Sequence, residues 1–248
     1  MAALHPEQSP VRASHDRVAG YDWRSVETGL DDEGVAVLPA LLAHTACTEL
    51  AALYESGGES TFRSRVVMAR HGFGRGEYQY FDYPLPGVVA QLRTALYGRL
   101  VATANRWHAS LGLEPRFPAS HAGYLARCHA AGQDRATPLL LRYGAGDFNC
   151  LHQDLYGEHV FPLQVVVLLS RPGTDFEGGE LVLTEQRPRM QSRPRVVPLR
   201  QGDAAVFAVR HRPVPGTRGT YRVTMRHGVS RIHGGTRSTL GLIFHDAA

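Results

Sequence analysis

The residues best suited to chemistry in this sequence are His152 and Asp154, which stand two positions apart within residues 142–164, RYGAGDFNCLHQDLYGEHVFPLQ. Side chains alternate between the faces of an extended strand, so these two point the same way and could grip one metal ion. With a histidine from elsewhere in the chain they would form a 2-His-1-carboxylate ligand set. A His-x-Asp triplet also arises by chance, and the alternative is a surface strand with two polar residues.

Five histidines follow this triplet and are candidates for the third ligand: His159, His211, His227, His233 and His245. His159 is too close in sequence to come from a different strand. His211 lies in a proline-rich turn, HRPVPGT, and His245 follows the last predicted strand. These three are therefore weaker candidates.

His227 lies inside a β-pattern, YRVTMRHGVSRI, followed by a Gly-Gly turn and a further strand, RSTLGLIF. In an antiparallel hairpin of this kind His227 and Arg237 can line the same cavity. His233 is too close in sequence to Arg237 for the two residues to face one cavity across such a hairpin. His227 is the preferred third ligand.

The elements that must position these residues are short β-strands. From residue 138 onward, apolar or alternating runs recur between turn residues: LLLRY, FPLQVVVLLS, ELVLTE, RVVPL, AAVFAV, YRVTMRHGVSRI and STLGLIF. Many short strands at such spacing are typical of a double-sheet jelly roll, the architecture that includes cupins. We predict an α+β fold with a double-stranded β-helix core and N-terminal helices packed against it.

The N-terminal half has helical spacing instead. Residues 1–20 are polar and aperiodic and are predicted to be a mobile leader. Residues 21–248 are predicted to be one domain, with a helical and lid part over 21–137 and the jelly-roll core over 138–248. The predicted elements are a short helix from Tyr21 to near Gly29, a strand at 34–39, and helices at 41–54 and 87–111.

Residues 55–86 are rich in glycine, arginine and aromatic residues and predict a strand running into a loop or hairpin. One interpretation is a substrate lid, in which Arg63, Arg65, Arg70 and Arg75 attract anions while aromatic rings stack on a base. The other is an ordinary aromatic-rich hairpin.

Composition limits the location and the partners. The three cysteines lack Cys-x-x-Cys spacing, and their odd number argues against a disulfide framework, so a cytoplasmic protein is expected. No apolar run is long enough to span a membrane, and no membrane partner is expected. The net charge is only +4, but twelve arginines and one acidic residue, Asp203, lie between Arg187 and Arg237.

The full motif array resembles that of the Fe(II)/2-oxoglutarate-dependent dioxygenases. It consists of His-x-Asp, a distant His, an Arg ten residues later and a Thr two residues after that, at His152, Asp154, His227, Arg237 and Thr239. The resemblance implies that Arg237, helped by Thr239, binds the distal carboxylate of 2-oxoglutarate. Tyr143 stands where members similar to prolyl-4-hydroxylases place a tyrosine that also contacts this cosubstrate.

The same resemblance implies Fe(II) as the metal, 2-oxoglutarate and O2 as cosubstrates, ascorbate as a candidate stimulant and hydroxylation of a C–H bond. Halogenases of this family lack the carboxylate ligand, so Asp154 implies oxygenation. The run from Glu177 to Val209 is similar to a bacterial group of these oxygenases proposed to act on damaged, methylated nucleic acid.

Alkylated DNA or RNA is therefore one candidate substrate, with Arg187, Arg189, Arg193 and Arg195 as candidate phosphate contacts. Ile243 stands where the well-known alkylation-repair dioxygenases have a second arginine, so their base readout cannot be transferred. One alternative is a hydroxylase of a small molecule, an amino acid or a protein side chain. Another is a non-catalytic, cupin-like binding protein. Glu158, His159 and Gln164 are further candidates for substrate contact, and the oligomeric state stays open.

Overall fold

The computed structural model describes residues 16–58, 60–114, 116–217 and 219–248. Its four long helices are α1 (Trp23–Glu33), α2 (His44–Ser56), α3 (Gly87–Ser110) and α4 (His121–Ala130). None of the helices in these ranges is both long and apolar enough to cross a membrane. Residues 1–15 of the predicted leader lie outside the described ranges, whereas residues 16–20 are helical and Val18 is buried. This part of the predicted leader is folded.

Two antiparallel sheets form the core. The strands are β1 (Val35–Leu38), β2 (Phe62–Val67), β3 (Gly74–Arg75), β4 (Glu77–Phe81), β5 (Leu139–Tyr143), β6 (Phe148–His152), β7 (Leu163–Leu168), β8 (Phe176–Gly178), β9 (Leu181–Gln186), β10 (Arg193–Val197), β11 (Ala204–Ala208), β12 (His211–Gly216), β13 (Gly219–Val229), β14 (Ile232–Gly235) and β15 (Arg237–Leu242).

The major sheet has the order β1-β11-β7-β15-β5-β4-β2, and the minor sheet has the order β10-β9-β13-β6-β3, with β12 paired to β13. Strands β8 and β14 form a small separate pair. Every pairing between these strands is antiparallel, and strands that are neighbours in a sheet are often distant in sequence. The predicted jelly-roll fold is confirmed.

The sheets also include strands from before residue 138. Strand β1 pairs with β11, the β2–β4 hairpin joins β5, and β3 joins β6. The region 21–137 is thus not only helical, because its strands complete both sheets. A division at residue 138 stays a prediction about domain organisation.

Helix α3 supports the major sheet from behind. Its stripe of Leu92, Leu96, Leu100 and Trp107 is at most 1% exposed and shares one apolar core with strand residues such as Val167. Burying a large apolar side chain stabilises a fold by about 1.5–3 kcal/mol. This stripe therefore fixes the sheet on which the cavity residues stand.

The C-terminal residues are tied to α3 and α4 by a buried polar network. Arg93, only 1% exposed, pairs with the buried carboxylate of Asp246 at 2.7 Å. His129 and Tyr83 also contact Asp246, at 2.8 and 2.9 Å. A buried charge of this kind is tolerated because it is fully paired.

Candidate active site

The three predicted metal ligands converge at the end of the minor sheet. His152 ends β6 and lies directly opposite His227 of β13 as a cross-strand pair, with ring centroids 4.1 Å apart. Asp154 follows two residues later, and its two carboxylate oxygens lie 3.5 Å from His152 Nε2 and 3.3 Å from His227 Nε2. One ligand atom from each residue lies within 4.8 Å of the others, as a shared metal ion requires.

Asp154 and His227 have charge states that suit a cation, whereas burial, which alone would lower the pKa of His152, is outweighed by hydrogen bonding and the charge of Asp154, which raise it. Burial alone would raise the pKa of Asp154, but hydrogen bonds from His152 and His227 hold it well below its ordinary value. Burial and the neighbouring His152 lower the pKa of His227. An ionised carboxylate beside a neutral imidazole is the state that a divalent metal needs for binding. The donor set therefore fits Fe(II), which 2-His-1-carboxylate sites hold in oxygenases.

Two side chains hold the carboxylate ligand in place. The Tyr156 hydroxyl donates to Asp154 Oδ1 at 2.7 Å, and Gln164 Nε2 donates to Asp154 Oδ2 at 2.9 Å. Gln164 Nε2 also lies 3.2 Å from His227 Nε2. Such contacts orient ligands and tune metal affinity.

The three ligands open into a cavity of about 370 Å³. Its walls are mostly apolar, with Leu139, Leu141 and Ile243 on one side. Arg237 and Thr239 also line it, and they are only 2% and 1% exposed. A charged group inside such walls is desolvated, so it needs a partner of opposite charge.

Arg237 is the charged group in question. Its Nε and Nη1 atoms are buried and have no hydrogen-bond partner within the described part of the chain. Burial lowers its pKa to about 10, which leaves the guanidinium protonated at neutral pH. Unpaired N–H donors on a buried, permanently charged guanidinium suit a carboxylate, which carries the opposite charge and only accepts hydrogen bonds. The site therefore fits a small carboxylic acid at the position that the motif assigns to 2-oxoglutarate.

Tyr143 completes this end of the cavity. It is fully buried, pairs with Arg237 across β5 and β15, and its ring centroid lies 5.7 Å from the guanidinium carbon. Asn149 Nδ2 donates to its hydroxyl at 3.2 Å. The six residues singled out from the motif array thus line one cavity.

The other sequence candidates are placed differently. Gln164 does point inward, as expected, whereas Glu158 is exposed and His159 is absent from the cavity lining. The amide of His159 instead donates to Gln133 Oε1 at 2.7 Å. Sequence reasoning missed Tyr156, although its position two residues after Asp154 in the chain could have indicated it.

Residues 68–76, here called the strap, run from the major to the minor sheet beside the cavity entrance. The strap consists of a 3-10 turn, Met68–Arg70, a short loop and β3. The backbone carbonyl of Phe73 accepts from the Cys150 amide at 2.9 Å, and β3 pairs with β6. Because β6 carries His152, the strap is bound to the metal-ligand strand itself.

Two glycines allow this close approach. Gly74 and Gly76 have φ values of +127° and +117°, a region that side chains disfavour. A Cβ at residue 74 would lie 2.4 Å from the Phe148 carbonyl oxygen, and one at residue 76 would lie 2.7 Å from the Tyr143 ring. Any other residue would push the strap away from the cavity.

The strap also presents an aromatic surface. Phe73 lines the entrance, is 48% exposed and stacks on His71 with ring centroids 5.3 Å apart. Three of the four predicted lid arginines have partners among the residues that the structure describes, and Arg75 lies 3.9 Å from Asp147. Arg63 donates to the Ala136 carbonyl at 2.8 Å, and Arg65 pairs with Glu77. The segment therefore combines an ordinary hairpin, β2–β4, with an entrance segment, the strap.

The fold and the cavity define a class, that of the 2-oxoglutarate–Fe(II) oxygenases. A prolyl-4-hydroxylase from Pseudomonas putida is 17% identical with a TM-score of 0.54, covering 91% of this chain and 99% of that one. A 2OG-Fe(II) oxygenase family oxidoreductase from Burkholderia pseudomallei is 17% identical with a TM-score of 0.52, covering 92% and 94%. At this identity the likeness concerns the fold.

A match to a family model identifies the family of this chain. Residues 76–247 match the model of Oxygenase-NA, described as an oxygenase catalysing oxidative methylation of damaged DNA, and the chain belongs to this family. It is also 54% identical over 168 residues to the uncharacterized protein Rv2227 of Mycobacterium tuberculosis, covering 68% of this chain and 72% of that one. The predicted enzyme class is confirmed, together with the Fe(II), 2-oxoglutarate and O2 that the class uses.

Proposed function

We propose that this oxygenase oxidises alkyl groups on damaged nucleic acid, using His152, Asp154 and His227 to hold Fe(II) and Arg237 with Thr239 and Tyr143 to hold 2-oxoglutarate. The observation that carries the site assignment is the buried guanidinium of Arg237, unpaired in a cavity shared with the three ligands. Residues 21–248 would act as one catalytic domain, with 138–248 supplying all six of these residues.

When bound, Fe(II) allows this class to couple decarboxylation of 2-oxoglutarate to succinate with transfer of one oxygen atom from O2 into a C–H bond. The protein's own residues bind and orient. Arg237 anchors the carboxylate that does not react, while Tyr156 and Gln164 fix Asp154. The apolar walls of the cavity exclude water from the reacting C–H bond.

The substrate proposal depends on two independent features. The family description names damaged DNA. The entrance carries an exposed ring, Phe73, which stacks on His71, and base–aromatic stacking contributes about 1–3 kcal/mol per base. Hydroxylation of an N-methyl group gives a product that releases formaldehyde and leaves the unmethylated nitrogen. A base must leave its stack to reach the cavity, and damaged or unpaired bases do so most easily.

The test is succinate and formaldehyde release with Fe(II), 2-oxoglutarate and ascorbate. Methylated oligonucleotides, proline-containing peptides and small metabolites are the substrates to compare. We expect both products with a methylated oligonucleotide and neither with the same oligonucleotide lacking the methyl group. Turnover with a peptide or a metabolite alone would instead support the hydroxylase alternative. His152→Ala, Asp154→Ala and His227→Ala should each lose Fe(II) or Mn(II) uptake, and unchanged metal content would refute the ligand assignment.

A further inference from the structure

The outer face of the minor sheet carries basic residues that the catalytic site does not use. Inward residues of β9 and β13, such as Leu183 and Met225, are buried, so the residues between them point outward. The outward positions pair across the two strands as Arg226 with Thr184 and Thr224 with Gln186. Arg222 lies four residues before Arg226 on the same side of β13, and both are exposed. We call this surface the basic sheet face.

The charge of this face is not neutralised locally. Neither Arg222 nor Arg226 forms an ion pair with any residue that the structure describes. Arg187 and Arg195, in contrast, pair with Glu185 and Glu33. The described outward positions on β9 and β13 include no acidic residue: Val182, Thr184, Gln186, Thr220, Arg222, Thr224, Arg226 and Gly228.

The pKa of a neighbouring histidine, His211, is also affected by the positive charge of this face. His211 pairs with Thr224 across β12 and β13, so it lies on this face beside Arg222. Burial, followed by the positive charges of Arg210 and Arg222, lowers the pKa of His211. The face is therefore a site of positive potential that an anion would relieve.

The basic sheet face is linked to the cavity lining through strand β6. Strand β6 borders β13, and a bulge opposite Gly228 inserts Cys150 and Leu151 between the paired positions of the two strands. Both inserted residues are exposed, and both also line the cavity. The cavity lies on the opposite, inner side of the sheet, so a ligand on the basic sheet face reaches the cavity lining by crossing β6 at these two residues.

We propose that the basic sheet face binds the phosphate backbone of the nucleic-acid strand whose damaged base enters the cavity. Four residues of a strand span about 13 Å, close to the rise of about four stacked nucleotides. Guanidinium groups bind phosphates bidentately and position the strand without reading its sequence. The proposal rests on the proposed function and adds to it the surface on which the substrate lies.

The test compares two double variants that remove the same charge. Arg222→Gln with Arg226→Gln alters the basic sheet face, and Arg24→Gln with Arg99→Gln alters exposed arginines of α1 and α3. Each is titrated with a labelled single-stranded oligodeoxynucleotide between about 50 and about 200 mM salt. Each lost phosphate contact should make the slope of log affinity against log salt less negative by about 0.7.

We expect the slope to change by about 1.4 for the face variant and not at all for the control. Between the two salt concentrations, the face variant should therefore lose about sevenfold less affinity than the wild type. Lysine at both positions should restore the wild-type slope, because a positive charge suffices. Equal slopes for the face variant and the wild type would overturn this inference while leaving the proposed function intact, provided methylated oligonucleotides still drive succinate release. Absence of both binding and turnover with nucleic acid in the wild type would overturn both.

Discussion

Replacement of Arg237 by methionine tests the cosubstrate site through two opposite effects. Methionine keeps much of the volume and removes the charge. A buried donor without a partner costs about 1–3 kcal/mol, and two guanidinium nitrogens have no partner among the described residues. Arg237→Met should therefore raise the free energy of unfolding of the ligand-free protein by about 2 kcal/mol. For a chain of this size that is an increase in Tm of about 4–8 °C.

The same substitution should greatly weaken 2-oxoglutarate binding. Removing one partner of a buried, hydrogen-bonded charge pair costs about 2–5 kcal/mol, which corresponds to a Kd increase between about 30-fold and about 4000-fold. Titration calorimetry with Mn(II) in place of Fe(II) measures this Kd, and scanning calorimetry without ligand measures Tm.

Arg212 is the matched control, because it is equally buried but pairs with Glu185 and the Asp31 carbonyl. Arg212→Met should lower Tm, since breaking a buried pair costs about 3–5 kcal/mol, and leave the 2-oxoglutarate Kd unchanged. An unchanged Kd for Arg237→Met would refute the cosubstrate assignment. A fall in its Tm would refute the reasoning that the guanidinium lacks a partner.

Three further predictions concern the metal, the entrance and pH. Tyr156→Phe removes the hydroxyl that donates to Asp154 and should weaken Mn(II) binding by about 10–100-fold in a metal titration; unchanged affinity would show that the contact does not orient the ligand. In a succinate assay, Phe73→Ala should raise KM for a methylated oligonucleotide by the equivalent of about 1–3 kcal/mol, because a stacking partner of the base is lost. KM for 2-oxoglutarate should not change, and equal changes in both KM values would argue against stacking. Burial lowers the pKa of His121 to about 4, so the unfolded chain binds its proton first as pH falls below 6.5. The free energy of unfolding should drop by about 2 kcal/mol from pH 7 to pH 5 through this group, and urea unfolding of His121→Gln should show that much less pH dependence.

Part of the metal site could be predicted because the relation of His152 to Asp154 is local and follows strand alternation. The predicted hairpin between the strands of His227 and Arg237 is wrong, because β13 and β15 lie in different sheets, and the two residues line the same cavity from opposite sheets. Apolar residues at helical spacing over Gly87–Ser110 predicted α3, because this pattern also lies within one element. Patterns within one element are visible in the sequence.

The remaining features depend on pairing between distant residues. The contact of Gln164 with His227 joins positions 63 apart, and that of Arg93 with Asp246 joins positions 153 apart. Helix α4 has a sequence signal, since Ser120 caps it by accepting from the Gly123 amide, but its short apolar pattern is weak. The incorporation of β1 and β3 into the two sheets has no local signal, because a strand's partners lie elsewhere in the chain.

The strap links the stability of the entrance to that of the iron ligands. Its backbone is hydrogen-bonded to β6, so a fluctuation that widens the entrance must also loosen the strand that ends in His152. Opening of the entrance and release of the metal would then be one cooperative local unfolding event. A bound metal would make opening of the entrance less frequent. Amide hydrogen exchange at Cys150, whose N–H is bonded to Phe73, would report on both processes at once.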